Sequence, residues 1–186
     1  MADENEVETM TENNEAHERL AKAIELREYG RAKQDKVILS EARNLLLELL
    51  EQNPENAEIT YQIGISYDNA GLSDKAIPYY VKAIDQGLSQ SSLARCLLGL
   101  GSTYRLLGQY HHAVETLRRG VTEFPDHRGL QIFYAMALYN IGEHKKAMEL
   151  VLNNLMETTD DETLQYFKRG ISFYAQHLDE TWPSKE

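Results

Sequence analysis

One register of small and large residues recurs along this chain, and no other feature limits its fold so closely. Gly64, Tyr67, Gly71, Ala76 and Tyr80 fall on Gly101, Tyr104, Gly108, Ala113 and Leu117 at a uniform offset of 37 residues. A further step of 34 reaches Ala135, Leu138, Gly142, Ala147 and Val151, and a step of 34 backwards from Ala76, Tyr80 and Ala83 reaches Ala42, Leu46 and Leu49. Self-similarity at such a period is the mark of a repeat architecture, in which each unit is one small supersecondary element.

The spacing within a unit explains why. Gly64 with Tyr67, and Gly101 with Tyr104, sit three apart and so share one helical face. Four residues after each tyrosine stands a glycine, Gly71 or Gly108, suited to the left-handed conformation that ends a helix. A second amphipathic segment follows, built around Ala76, Ala113 or Ala147. Small residues let two helices approach closely, and the bulky residues four positions on fill the space between units. A lone hairpin of this kind cannot bury its apolar face, so the units must stack.

The pattern resembles the tetratricopeptide repeat. Ile63-Gly64, Tyr67, Ala76, Tyr80 and Ala83 match one repeat. Leu100-Gly101, Tyr104, Ala113, Leu117, Gly120 and Pro125 match a second, and Tyr134-Ala135, Leu138, Ala147 and Val151 match a third. The phrases IPYYVKAIDQGLS, LLGLGSTYRLLGQY and EFPDH, with the three-residue insertion after the first repeat, are similar to a group of small bacterial tetratricopeptide proteins without assigned activity. The resemblance implies an all-α, right-handed superhelical solenoid of antiparallel helix pairs. Helices are expected over 16–31 with 38–52, 57–70 with 73–87, 91–107 with 110–123, and 127–141 with 144–157. The domain plan is an acidic disordered tail (1–15), a degenerate helix pair (16–56) with a long turn around Gly30 to Lys36, and three repeats (57–158). A capping helix (159–180) and a frayed end (181–186) complete it. The cap is expected to run unbroken from about 160 to 178 and to bury a stripe of Leu164, Phe167, Ile171, Tyr174 and Leu178. Pro78 lies inside a predicted helix, where it removes one backbone bond and should bend the helix.

Composition narrows the function. The net charge is −11, of which six acidic side chains lie in residues 1–15 with no Lys or Arg among them, so the remainder carries −5. Clustered positive charge, which binding to a phosphate backbone needs, is missing, and nucleic acid is not an expected partner. No apolar run approaches the roughly 18 residues of a membrane span, and the acidic start is unlike a secretory signal. A cytoplasmic location, with no membrane partner, is the expectation. The single cysteine, Cys96, sits in LARCLLGLG and reads as a small packed hydrophobe.

Sites for chemistry are hard to assemble. GLGST at 99–103 has the glycines of a phosphate loop, but they fall inside a helical repeat rather than between strand and helix. His17, His111, His112, His127, His144 and His177 form no HxxxH or HExxH pair. Neither a catalytic group, a cofactor nor a metal is expected, and the chain reads as a non-enzymatic scaffold or adaptor for a protein or peptide. Self-association as a homodimer is compatible with this reading. The alternative is a cytosolic holding or secretion chaperone.

In stacked repeats of this family the first helix of each pair lines a groove. The resemblance therefore implies a ligand face made of Glu58, Tyr61, Ile65, Asp68 and Asn69, then Arg95, Leu98, Ser102 and Arg105, then Gly129, Ile132, Met136, Tyr139 and Asn140. Leu98 and Ile132 suit the core equally well. Tyr67, Tyr80, Tyr104 and Tyr134 occupy core positions, whereas Tyr61, Tyr79 and Tyr139 are left for a surface. Chaperone-binding members of the family hold a terminal carboxylate with Lys, Asn and Arg at the fifth and ninth groove positions. Those positions here are Tyr61 and Ile65, Leu98 and Ser102, Ile132 and Met136, so the clamp is missing. A free acidic C-terminal tail peptide should give no binding through these positions in calorimetry; binding abolished by Arg95→Ala or Arg105→Ala would contradict the reading.

Overall fold

A computed structural model describes residues 4–183, with side chains from Glu15 onward. Every regular element among the described residues is helical: α1 Glu4–Lys33, α2 Lys36–Gln52, α3 Ala57–Asn69, α4 Ser73–Gln86, α5 Gln90–Leu106, α6 Tyr110–Glu123, α7 Arg128–Asn140, α8 His144–Thr158, α9 Glu162–Tyr166 and α10 Lys168–Gln176. The helices form sequential antiparallel pairs, as in α1 with α2, α3 with α4 and α7 with α8, in keeping with the repeat register. The chain divides into two compact units, Met1–Thr103 and Tyr104–Glu186.

The same turn closes the first helix of all three repeats. Gly71, Gly108 and Gly142 have φ of 73°, 73° and 86°. The residue after each glycine donates its N–H five residues back, Leu72 to Tyr67 O, Gln109 to Tyr104 O and Glu143 to Leu138 O. The glycine itself donates three residues back, to Asp68 O, Arg105 O and Tyr139 O. This paired arrangement satisfies carbonyls that a helix end would otherwise leave open, and it needs a residue that tolerates positive φ.

In the first unit α1 packs on α2, α2 on α3, and α3 on α4. Ala23, Leu46, Leu49, Ile59 and Ile63 form a buried cluster flanked by Leu20, Leu45, Leu47, Leu50, Tyr67 and Tyr79. Tyr80 of α4, 2% exposed, lies where side chains of α3 and α5 would otherwise be. A Cβ on Gly64 would come within 2.7 Å of its ring, and one on Gly99 within 3.3 Å. Its hydroxyl donates to Asp68 Oδ2 at 2.9 Å, and Thr103 Oγ1 reaches the same oxygen at 2.6 Å. Burial first, then the neighbouring Asp68 carboxylate, pushes the Tyr80 hydroxyl far above its ordinary pKa, so it remains a donor. Cys96 is fully buried, its Sγ 3.6 Å from Tyr80 O, in keeping with its reading as a packed hydrophobe.

In the second unit α6 packs on α7, α7 on α8, and α8 on α10. Gly120 of α6 lies so close to α7 that an added Cβ would sit 2.7 Å from Leu130 Cδ2. Ala135, Leu138 and Ala147 form a buried cluster with Tyr134, Ile141 and Leu150 against it.

Three expectations need correction. Helix α1 begins at Glu4 rather than at 16, so the backbone over 4–15 is helical where a disordered tail was expected; the five glutamates and Met10 in this stretch have good helix propensity. Residues 1–3 and 184–186, parts of the expected tails, lie outside the described residues. The turn after α1 is confined to Gln34 and Asp35. Gly30 is helical and buried, and it allows α1 to approach α2, since a Cβ there would stand 3.0 Å from Ile38 Cγ2. Asp35 then caps α2, its carboxylate accepting from Val37 N and Ile38 N. The capping helix is broken at Phe167 into α9 and α10. Packing against α8 buries Ala175 and half-buries Ile171, which turns Phe167 and Tyr174 outward; the expected stripe would have required one unbroken helix. Leu178, also in that stripe, lies beyond the end of α10 and is exposed. Helix α4 runs continuously through Pro78.

Gly64→Ala forces a methyl group into the Tyr80 ring and should lower stability by about 1–3 kcal/mol. Tyr80→Phe removes one bond from a part-buried carboxylate and should cost about 1–2 kcal/mol. Urea unfolding followed by circular dichroism measures both.

Candidate partner-binding faces

The first unit carries a cleft of about 540 Å³ whose walls come from three helices. Glu58, Tyr61, Gln62, Ile65 and Asn69 of α3 and Arg95 of α5 face Ile24, Arg27, Glu28 and Arg31 of α1. Five of the residues implied by the repeat register meet here: Glu58, Tyr61, Ile65, Asn69 and Arg95. The α1 residues and Gln62 were not anticipated, because the degenerate first helix lacks the small-residue ladder that aligns the others. Its signal was a different one: Ile24, Arg27, Glu28 and Arg31 recur at three and four residues on one face.

Polar groups make up much of the cleft lining. Arg27 is only 4% exposed. Its Nη1 donates to Gln62 Oε1, and its Nη2 donates to Glu28 Oε1 at 2.7 Å. Arg31 Nε donates to Glu28 Oε2 at 2.9 Å. Burial pushes the Glu28 carboxyl pKa up, but bonds from Arg27 and Arg31 outweigh it and hold the pKa below the ordinary carboxylate range. Glu58 accepts from Gln62 Nε2 and from Ser92 Oγ, each at 2.6 Å. Two buried donors are left without an acceptor, Arg27 Nε and Asn69 Nδ2.

Tyr61 is not a free surface tyrosine. It is 5% exposed, its ring 6.1 Å from that of Tyr80, and it floors the cleft. Burial, with smaller contributions from Cys96 and Glu58, pushes its hydroxyl pKa well above the ordinary value. Tyr79 is half-buried and stacks on Tyr67 at 5.4 Å. Asp68 is engaged by Tyr80 and Thr103, so its carboxylate serves the packing of α3, α4 and α5. Leu98 and Ser102 are half-buried on α5 and do not line the cleft.

The second unit carries a smaller cleft, about 260 Å³, with almost wholly apolar walls. Arg105, Met136 and Tyr139 from the expected face line it, joined by Ala135, His144, Ala147, Met148 and Val151. Tyr139 is 62% exposed, and its ring stands 4.7 Å from that of His144. Arg105 Nε donates to Asn140 Oδ1 at 2.8 Å, which fixes the guanidinium at the edge. Gly129 and Ile132 are half-buried on α7, outside the cleft. The α8 contribution was missed because Ala147 and Val151 were assigned wholly to packing. Three other histidines have structural partners: His127 Nδ1 accepts from Leu130 N at 3.2 Å, the His112 ring lies 5.3 Å from that of Tyr104, and His177 stacks on Phe173 at 4.4 Å.

The two tyrosines of the expected face should therefore behave differently. Tyr61→Ala opens a core cavity and should cost about 3–5 kcal/mol, whereas Tyr139→Ala should stay within about 0.5 kcal/mol. Thermal unfolding of the two variants separates them.

No helix among the described residues is long and apolar enough to cross a membrane. No curated protein sequence matches the chain significantly. Among solved structures, the crystal structure of MamA is similar with a TM-score of 0.62 at 20% identity, over 86% of this chain and 87% of that one. YrrB, described as a TPR protein with an unusual peptide-binding site, has a TM-score of 0.61 at 18% identity, over 85% of this chain and 78% of its own. At these identities the likeness establishes the fold. The profile of the tetratrico peptide repeat family matches residues 57–178, well over half of the sequence, and with the helix pairs and their shared glycine turns it places this chain in the tetratricopeptide repeat family, whose domains bind other proteins.

Proposed function

We propose that the chain is a non-enzymatic cytoplasmic adaptor that holds a peptide or a helix of a partner protein against its first-helix faces. The reading is supported by one coincidence above all. In each unit, residues that the family resemblance and the repeat spacing single out also line a cleft: Glu58, Tyr61, Ile65, Asn69 and Arg95 in the first, Arg105, Met136 and Tyr139 in the second. An apolar cleft edged by a fixed cation suits one face of an amphipathic helix, and a polar one suits an extended segment. The second reading, a holding chaperone, draws on the exposed Met148 and Tyr139, since flexible and aromatic side chains accommodate varied apolar clients.

Affinity capture from host cytosol followed by mass spectrometry tests the proposal, with the Met136→Glu/Tyr139→Ala double variant beside the wild type. Lys75→Gln, an exposed change on α4, serves as control. The adaptor reading expects a folded partner recovered with wild type and control and reduced at least about tenfold by the double variant. Recovery of several aggregation-prone chains instead favours the chaperone. Equal recovery by all three proteins overturns the assignment of this face.

A further inference from the structure

The cleft of the first unit carries an imbalance that its own residues do not resolve. Its two carboxylates are both occupied. Glu28 accepts from Arg27 and Arg31, and Glu58 accepts from Gln62 and Ser92. Its donors are not. Arg27 is 96% buried, yet its Nε has no acceptor, and the buried Asn69 Nδ2 has none either. A buried donor without a partner is costly, and native structures keep few of them. Three guanidinium groups, from Arg27, Arg31 and Arg95, face two carboxylates, so the cleft is locally cationic on a chain of net charge −11.

From this we infer that the cleft between α1, α3 and α5 receives carboxylate side chains of an acidic peptide segment. The inference rests on the adaptor reading above and names the chemistry of the segment bound by the first unit. A carboxylate supplies acceptors and no donors, which is what the cleft lacks, and charged hydrogen bonds to guanidinium are the strong ones. A basic segment would meet glutamates already engaged and three like charges. The cations come from α1 and from the start of α5, not from the fifth and ninth groove positions of a terminal-carboxylate clamp, so the ligand group is an internal Asp or Glu rather than a chain end.

The experiment uses the full chain labelled with ¹⁵N, titrated with a blocked peptide of alternating glutamate and leucine, its glutamine isostere, and the glutamate peptide with a free C-terminus. The glutamate peptide should bind at least about tenfold more tightly than the isostere, and more weakly as salt rises. It should move the Nε–H resonance of Arg27 and the side-chain amide of Asn69. The free C-terminus should add nothing. Arg95→Gln and Arg31→Gln, both at exposed positions, should each weaken binding several-fold to about tenfold, and Lys75→Gln should not. Equal binding of the isostere, binding of neither peptide, or unmoved Arg27 and Asn69 resonances overturns the inference. A partner still captured through the Met136 and Tyr139 face would in that case leave the adaptor reading standing.

Discussion

The first unit depends on a ring packed against bare backbone. Tyr80 occupies space that Gly64 and Gly99 leave empty, and its hydroxyl ends on the carboxylate of Asp68. That single side chain therefore joins three helices. The ring provides apolar burial between α3, α4 and α5, while the hydroxyl pays the desolvation cost of one Asp68 oxygen. Thr103 shares that oxygen and ties the far end of α5 into the same group. A larger residue at Gly64 or a missing acceptor at Asp68 would disturb all of these contacts together, because interiors are close-packed and transmit strain. In the second unit the corresponding position is Leu117, and closeness is achieved instead by Gly120 under Leu130.

This is why much of the fold was legible in the sequence. Small residues and the large ones that seat on them recur at fixed spacing, and a periodic requirement leaves a periodic trace. Gly71, Gly108 and Gly142 announce their turns for the same reason, since only a residue tolerant of positive φ completes them without strain. Where the requirement was not periodic, the trace was lost. Gly30 looked like a turn but serves a close helix approach. The α9–α10 break is set by how Ala175 and Ile171 reach α8, a tertiary demand with no local signature.

The candidate faces were legible by half. Repeat spacing selected residues pointing to one side of each first helix, and several do line clefts. It could not tell which of them were already spent on the core. Tyr61 and Asp68 share helical spacing with Ile65 and Glu58, yet Tyr61 lies against Tyr80 and Asp68 holds two hydroxyls. Nor could it place α1, whose Arg27 and Arg31 reach the cleft from a helix without a ladder. Only packing brings residues 24–31 opposite α3.

A conflict between stability and recognition follows from that packing. Burying Arg27 beside Gln62 and Glu28 satisfies part of its guanidinium and leaves Nε without an acceptor. Replacing the group by a well-packed apolar side chain would remove the unmet donor, and such replacements of buried charges are often neutral or stabilising. A chain selected for stability alone has little reason to retain the arginine there. Retention is reasonable if the open donor is used in another state, because a ligand that binds only the folded protein stabilises it by mass action. The polar cleft of the first unit and the apolar cleft of the second then differ for a physical reason. On that reading the first would gain hydrogen bonds on occupation, while the second would gain burial. Affinity at the first cleft would then fall as salt rises, whereas affinity at the second would not.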